Sequence, residues 1–272
     1  MNADSIFFIG SLHSICQDYV LSKNDPQPFV ILSDGCSSST HADFGSRLIV
    51  KAADRFLRTV DNDVRSVHRE SARLALQWSK QIGLEVEAVD ATLLTAHLLD
   101  DVLTVGCSGD GVVAWESVDG TVDVHAISFP SNYPLYPTYQ FQCDRFDELL
   151  AHHQIEAEVK HYRRTSQDTQ FQFIDSTTSD SLTHVWQLKS SDYRYVALLS
   201  DGLNSFVRSR SASNGNRVEP ILIEEVLDNL WAFKNSHGAF VARRMTRFKK
   251  DCESLGWHHA DDLAIAAIHL GE

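Results

Sequence analysis

Length, composition and charge restrict the kind of protein this chain is. Its 272 residues suit one large domain, or one domain with an inserted flap, and 43% hydrophobic residues supply a real core. The formal net charge of −13 argues against binding to nucleic acid or to an anionic membrane, because both require a cationic surface.

Cysteine usage and hydropathy predict the cellular compartment. The chain has five cysteines, an odd number, and no C-x-x-C spacing. This pattern favours neither a disulfide framework nor a zinc ribbon. The N-terminal residues lack a basic segment, and no apolar run approaches the ~20 residues of a membrane helix. We therefore expect a cytoplasmic monomer that binds neither nucleic acid nor membrane.

The first third of the chain predicts strands followed by helices. Residues 6–13 and 18–22 are expected to form a first pair of strands, and the apolar run before Asp34 forms the next one. Apolar residues then recur with helical spacing over 41–60 and again over 64–82. These two helices are expected to lie over a sheet.

The hydrophobic period changes to that of strands over residues 86–129. Four strands are predicted at 91–99, 102–106, 112–115 and 122–127. The Asp and Gly residues between them are turn signals, so this region is expected to form an antiparallel meander.

The second half is predicted to alternate irregular and regular segments. Prolines and a polar stretch make residues 130–183 a predicted surface excursion or flap. The segments expected after it are strands at 184–188 and 193–200, a flexible loop at 209–216, helices at about 220–233 and 239–255, and a last strand at 263–269. This order predicts an α+β fold, a sandwich of two mainly antiparallel sheets flanked by helix pairs (α-β-β-α).

Three carboxylate sites stand at predicted strand ends. Asp34-Gly35 and Asp201-Gly202 each follow an apolar run that ends in Leu-Ser, and Asp261-Asp262 precedes another apolar run. Taken singly, an Asp-Gly pair is more often a turn than a ligand. A carboxylate at the end of a buried strand is costly, however, so convergence on hard cations is the stronger hypothesis, and we predict a binuclear metal centre.

With two weaker sites added, the order of motifs resembles the protein phosphatase 2C family of metal-dependent serine/threonine phosphatases. The motifs that carry the resemblance are Gln17-Asp18, Asp34-Gly35, Asp90-Ala91-Thr92, Gly109-Asp110, Ser200-Asp201-Gly202 and Asp261-Asp262. Each motif alone is weak, but all of them stand in the family's order. The resemblance spans nearly the whole chain and implies one catalytic domain over 1–272, with the excursion at about 130–183.

The resemblance also implies a set of metal ligands. They are the carboxylates of Asp18, Asp34, Asp110, Asp201 and Asp261 and the carbonyl of Gly35. Asp34 would bridge two Mn²⁺ or Mg²⁺ ions, Asp201 and Asp261 would complete the second ion's shell, Asp18 would hold bound water, and Asp110 would serve a weaker third ion. Two such cations about 3.5–4 Å apart activate a bridging water for in-line displacement, so no protein nucleophile is required.

Two residues depart from the family pattern. His13 stands where the family usually places a phosphate-gripping arginine, and it either binds phosphate as an imidazolium or has no role. Cys36 stands where other members have histidine or methionine. No cysteine is followed six residues later by an arginine, so we interpret Cys36 as a wall residue and not as a nucleophile.

Three functions remain open at this stage. The leading hypothesis is hydrolysis of phosphoserine or phosphothreonine in a phosphoprotein by a metal-bridging hydroxide, with Asp34, Asp201, Asp261 and His13 as catalytic residues. The second is a catalytically weak or inactive module that binds phosphoproteins or a signalling partner. The third is a hydrolase of a small phosphoester, which shares the metal centre.

Overall fold

Two antiparallel sheets form the centre of the computed structural model, which describes residues 1–57, 63–212 and 215–271. The strands are β1 (Asn2–Phe8), β2 (Tyr19–Lys23), β3 (Phe29–Ser33), β4 (Leu93–Leu99), β5 (Val102–Ser108), β6 (Gly111–Ser117), β7 (Val122–Ser128), β8 (Ala157–Arg164), β9 (Gln172–Ser179), β10 (His184–Lys189), β11 (Tyr193–Leu199), β12 (Phe206–Ala212), β13 (Gly215–Pro220), β14 (Trp257–His259) and β15 (Leu263–His269). The helices are α1 (Ala42–Leu57), α2 (Val64–Gln81), α3 (Cys143–His152), α4 (Ile223–Leu230) and α5 (Phe240–Leu255).

The strands divide between a larger and a smaller sheet, with a minor sheet beside them. The larger sheet has the order β1-β15-β11-β6-β7-β8-β9, and the smaller has the order β10-β5-β4-β3-β2. The minor sheet, β13-β12-β14, has three strands. All the strand pairs between named strands are antiparallel.

Alternation of side chains along the central strands produces three apolar layers. In β11, Val196 and Leu198 point into the core between the sheets, whereas Ala197 and Leu199 pack against α4 and α5. In β3, Ile31 belongs to the layer under α1 and α2. The apolar runs therefore reflect strands buried on both faces, and the predicted α-β-β-α sandwich is confirmed.

The structure corrects how the first strands pair. Residues 6–13 and 18–22 were expected to pair with each other, but β1 pairs with β15 and β2 pairs with β3. The connection between β1 and β2 crosses from one sheet to the other. The predicted helix over 41–60 is α1, and residues 58–60 lie outside the described residues.

The predicted meander is also divided between the two sheets. Strands β4 and β5 belong to the smaller sheet, and β6 and β7 belong to the larger one. The chain crosses at Gly109-Asp110-Gly111, where the glycines have φ of 84° and 138°. This left-handed backbone requires glycine, and it carries Asp110 across the sandwich edge.

Two polar segments form strands where irregular structure was expected. Within 130–183, α3 is followed by β8 and β9, which extend the larger sheet at its edge. Strand β9 is exposed along nearly all its length, so it lacks the apolar alternation that identifies a strand. The prediction of a flexible loop at 209–216 is wrong for its described part, because β12 and β13 pair there; residues 213–214 lie outside the described chain.

Within the described ranges, no helix has both the length and the apolarity needed to cross a lipid bilayer.

Candidate metal centre

The strand registers bring five predicted carboxylates to one edge of the sandwich, here called the carboxylate edge. Asp34 and Asp201 follow the last residues of β3 and β11, and Asp18 and Asp261 precede β2 and β15. Asp110 lies in the crossing between β5 and β6. Because Tyr19 pairs with Ser33, and Leu199 pairs with both Ile265 and Val112, these strand ends coincide.

Backbone contacts fix the position of Asp34. Its amide N donates to the Thr92 hydroxyl at 2.9 Å, and its carbonyl accepts from the Thr92 amide at 2.8 Å. The next residue, Gly35, forms an antiparallel bridge with Ala91. A Cβ at Gly35 would overlap the carbonyl oxygen of Ala42 at the start of α1, so only glycine fits there. The motif around Asp90 therefore supports the Asp34 loop from the neighbouring strand.

Asp18 is the most deeply placed of the five carboxylates. It is fully buried, and its Oδ2 accepts a hydrogen bond from the Ser200 hydroxyl at 2.7 Å. Among the described residues, its Oδ1 has no hydrogen-bond partner, and neither does the buried Oδ1 of Asp201. Two buried carboxylate oxygens without donors are expensive in free energy, unless a cation binds them.

Electrostatics lead to the same conclusion. Removal from water raises the pKa of Asp18, Asp34 and Asp110 well above the ordinary range of an aspartate. The charge of Asp201 raises the pKa of each of these three groups further, and burial raises the pKa of Asp201 itself. A cluster that resists ionisation alone is stabilised in its charged form by nearby cations. The donor set consists of oxygen atoms, which fits Mg²⁺ or Mn²⁺.

His13 lies beside the Asp261-Asp262 pair. Its Nδ1 is 2.9 Å from Oδ2 of Asp262, and its Nε2 is 3.6 Å from Oδ1 of Asp261. The imidazole, whose side chain is 18% exposed, therefore faces carboxylates with both nitrogens. These three residues place one ligand atom each within 4.8 Å of the others.

Asp262 has a structural role that the sequence did not reveal. It is buried, and it accepts hydrogen bonds from the amides of Gly10 at 2.7 Å and Gln17 at 2.6 Å. It thereby fixes both ends of the segment that carries His13. No local signal predicts this role, because the contacts span about 250 positions.

Ser200 is a second residue that sequence reasoning missed. The Ser200 hydroxyl donates to Asp18, and the same oxygen accepts a hydrogen bond from the amide of Ala264 at 2.9 Å. Ser33, the equivalent residue of the other Leu-Ser-Asp-Gly phrase, donates to the Thr92 carbonyl at 2.5 Å. The repeated serine before each carboxylate was the available signal.

A cavity of about 420 Å³ adjoins the Asp34 loop. Its lining includes Cys36, Tyr136, Tyr139, Asp90 and Arg145. Burial alone would raise the pKa of the Cys36 thiol, but hydrogen bonds with hydroxyls, including that of Ser38 at 3.0 Å, lower it below its ordinary value. Cys36 lies in the lining of this cavity, and its role as a wall residue and not a nucleophile stays a prediction.

Arg145 of α3 ties the excursion to this cavity. Its guanidinium contacts the buried carboxylate of Asp90 with both terminal nitrogens, at 2.5 and 3.3 Å, and lies over the ring of Tyr139. Another cavity, of about 480 Å³, lies between α4 and α5 and contains none of the predicted site residues.

This chain resembles known proteins both in sequence and in fold. The family model for protein phosphatase 2C matches residues 12–230. Solved structures with a similar fold include a bacterial serine phosphatase at 12% identity and a TM-score of 0.58, with coverage of 100% of this chain and 98% of that one. The serine/threonine phosphatase Stp1 from Staphylococcus aureus matches at 12% identity and a TM-score of 0.56, with 99% and 95% covered.

The Mycobacterium tuberculosis serine/threonine phosphatase PstP/Ppp matches at 14% identity and a TM-score of 0.55, covering 100% of this chain and 99% of its own. At such identities these structures show a shared fold and nothing further. Among curated protein sequences, none matches this chain. Since the family model covers most of its length, the chain belongs to the protein phosphatase 2C family.

Proposed function

We propose that this protein is a metal-dependent phosphatase that hydrolyses phosphoserine and phosphothreonine in phosphoproteins. The observation that carries the proposal is the carboxylate edge, where Asp18 and Asp201 each hold a buried oxygen that has no donor in the part of the chain that the structure describes. Family membership agrees, because metal dependence, generally on Mn²⁺ or Mg²⁺, is general to this family.

Each carboxylate has a proposed task. Asp34 lies between Asp18 and Asp201 in the network of side-chain contacts, so we assign it to bridge two ions, with the Gly35 carbonyl beside it. Asp201 and Asp261 would complete the shell of the second ion, and their charges interact directly. The bound cations would supply water activation and charge neutralisation for displacement at phosphorus.

The remaining residues position and screen the site. Asp18, held by Ser200, would orient water near the ions, and Asp110 would serve a weaker third ion. Cys36 and Tyr136 would shape the wall of the cavity that adjoins the Asp34 loop. His13 belongs to the proposed site, and its role is argued in the next subsection.

The test is hydrolysis of p-nitrophenyl phosphate and of a phosphoserine peptide by EDTA-treated protein, with Mn²⁺ or Mg²⁺ added back. We expect turnover that depends on metal and that falls by at least about 10³-fold in Asp34→Asn and Asp201→Asn. Asp119→Asn is the matched control, because Asp119-Gly120 is an exposed turn in which Asp119 accepts from the Thr121 amide. Full turnover in Asp34→Asn would contradict the proposal.

One observation favours the alternative of a weak or inactive phosphoprotein-binding module. The guanidinium in the described lining of the cavity is that of Arg145, and this group donates hydrogen bonds to the carboxylate of Asp90. The site therefore lacks a free guanidinium for phosphate among the residues described there. Phosphopeptide binding without turnover in saturating Mn²⁺ would favour this module. Turnover of small phosphoesters but not of phosphopeptides would favour the small-substrate hydrolase.

A further inference from the structure

The segment that connects β1 to β2 places an imidazole at the carboxylate edge in a defined orientation. His13 Nδ1 lies 2.9 Å from Asp262 Oδ2 without the alignment of a hydrogen bond, and among the described residues this buried nitrogen has no hydrogen-bond partner. The other ring nitrogen, Nε2, lies 3.6 Å from Oδ1 of Asp261. One carboxylate therefore faces each nitrogen of the same ring.

The two carboxylates differ in environment, and this difference assigns their tasks. The side chain of Asp262 is 1% exposed, and the amides of Gly10 and Gln17 fix its two oxygens. That of Asp261 is 42% exposed, and the proposed metal centre assigns it as a metal ligand. Asp262 is thus positioned to orient the imidazole, whereas Asp261 is positioned to bind the same ion as the imidazole.

A histidine that binds a metal commonly donates its other ring N–H to a carboxylate, which fixes the tautomer and the ring orientation. Asp262 is the carboxylate beside Nδ1, and a turn of the ring that aligned the Nδ1–H with it would complete that relation and leave the Nε2 lone pair facing Asp261. One ion with bonds of about 2.1 Å can reach both atoms, because their separation of 3.6 Å is less than two bond lengths. We propose that His13 is a nitrogen ligand of the ion held by Asp261, oriented by Asp262.

An observation outside this trio also points to an ion here. The Oδ1 atom of Asp201 is buried and has no hydrogen-bond partner within residues 1–57, 63–212 and 215–271, and the charge of Asp201 interacts with that of Asp261. An ion bound to Asp261 and His13 would lie beside this unpartnered oxygen. The inference rests on the proposed metal centre, and it adds one nitrogen to a donor set otherwise made of oxygen.

A nitrogen ligand changes which metals the site prefers. Imidazole suits Zn²⁺ and other transition metals, whereas Mg²⁺ prefers oxygen donors. The wild-type protein should therefore bind Zn²⁺ and Mn²⁺ more tightly relative to Mg²⁺ than a variant without the imidazole. In His13→Gln we expect the ratio of Zn²⁺ affinity to Mg²⁺ affinity to fall by at least about tenfold.

The direct test is long-range ¹H–¹⁵N NMR of the ¹⁵N-labelled full chain, titrated with Zn²⁺ to saturation while calorimetry measures the bound metal. The resonances of the His13 ring are assigned by their absence from the spectrum of His13→Gln. His258→Gln is the matched control, because His258 is exposed and its Nε2 contacts the Ser209 hydroxyl. Circular dichroism confirms that each variant is folded.

We expect the Nε2 resonance of His13 to shift to the position of a metal-bound nitrogen, with the proton on Nδ1, in the wild type and in His258→Gln. Bound Zn²⁺ with an unshifted His13 Nε2 would overturn the inference and leave the proposed metal centre intact. If neither Zn²⁺ nor Mn²⁺ binds to the folded protein, the metal centre itself is refuted, and the inference falls with it.

Discussion

The Ser200 hydroxyl donates a hydrogen bond of 2.7 Å to Asp18, which joins the end of β11 in the larger sheet to the start of β2 in the smaller one. This contact closes the sandwich at the carboxylate edge. It also fixes Oδ2 of the fully buried Asp18 carboxylate. The protein, and not solvent, therefore determines where Oδ1 of Asp18 points.

Removal of this hydroxyl should affect both stability and metal affinity. In Ser200→Ala, the buried Asp18 loses the hydroxyl that donates to its Oδ2, and we expect about 1.5–3 kcal/mol less free energy of unfolding. Mn²⁺ affinity should fall as well, because Asp18 is no longer held. Urea denaturation and calorimetry measure the two effects. Ser176→Ala, which removes an exposed hydroxyl bound to Glu158, should change stability by no more than about 0.5 kcal/mol.

The Arg145–Asp90 pair should anchor α3 to the loop that carries Asp34. Asp90 is buried, and Arg145→Ala would leave its carboxylate without a cation, at a cost of about 3 kcal/mol in unfolding free energy. Arg73→Ala is the control, since Arg73 and Glu70 form an exposed pair that contributes about 0.5 kcal/mol or less. Equal denaturation midpoints for the two variants would contradict the anchoring role.

Gly202 should tolerate no side chain. A Cβ there would overlap the backbone carbonyl oxygen of Asp262, so Gly202→Ala must displace either the Asp201 loop or the start of β15. We expect loss of metal binding together with at least about 2 kcal/mol of destabilisation. Gly83→Ala is the comparison, because Gly83 has φ of 79° and open space around it, and should cost only about 1 kcal/mol. Metal titration measures the loss of metal binding, and thermal denaturation measures the loss of stability, in each of the two variants.

His68 predicts how stability depends on pH. Burial lowers the pKa of this histidine to about 3, and its ring nitrogens contact the hydroxyls of Ser108 and Thr95 at 2.8 and 2.9 Å. The unfolded chain binds a proton near pH 6.5 that the folded protein does not bind, so stability is full above pH 6.5 and falls as the pH decreases. At pH 5 the loss from this group is about 2 kcal/mol.

Urea denaturation of the metal-free protein between pH 5 and 7.5 checks this dependence. His68→Gln should flatten the profile, because an amide keeps hydrogen-bonding capacity without titrating. Equal pH profiles for the wild type and His68→Gln would contradict a buried, neutral His68, because the aspartates whose pKa burial raises titrate in both proteins.

Much of the carboxylate edge was predictable from local sequence. The apolar runs before Asp34 and Asp201 give strands buried on both faces, so the following carboxylates stand at strand ends whatever the topology. The last strand was predictable for the same reason, and α1, α2, α4 and α5 were predictable from the helical spacing of their apolar residues, whereas α3 lies in the predicted excursion. Which sheet each strand joins was not, because β1 pairs with β15 across nearly the whole chain.

The remaining differences have physical causes of the same kind. Strand β9 is stabilised by pairing with β8 at a solvated edge, so its sequence carries no hydrophobic period. Asp262 was expected only as the partner of Asp261 in a motif. Its contacts with Gly10 and Gln17 arise from tertiary structure, which sequence spacing does not encode.

The most direct test of the central claim is the number of Mn²⁺ ions that the EDTA-treated protein binds, measured by calorimetry together with elemental analysis. If the carboxylate edge is a binuclear centre, the wild type and Asp119→Asn should each bind two ions, with a weaker third at higher concentration. Asp201→Asn should lose at least one of them. A folded wild-type protein that binds no Mn²⁺, or an Asp201→Asn variant with unchanged stoichiometry and affinity, would contradict the account.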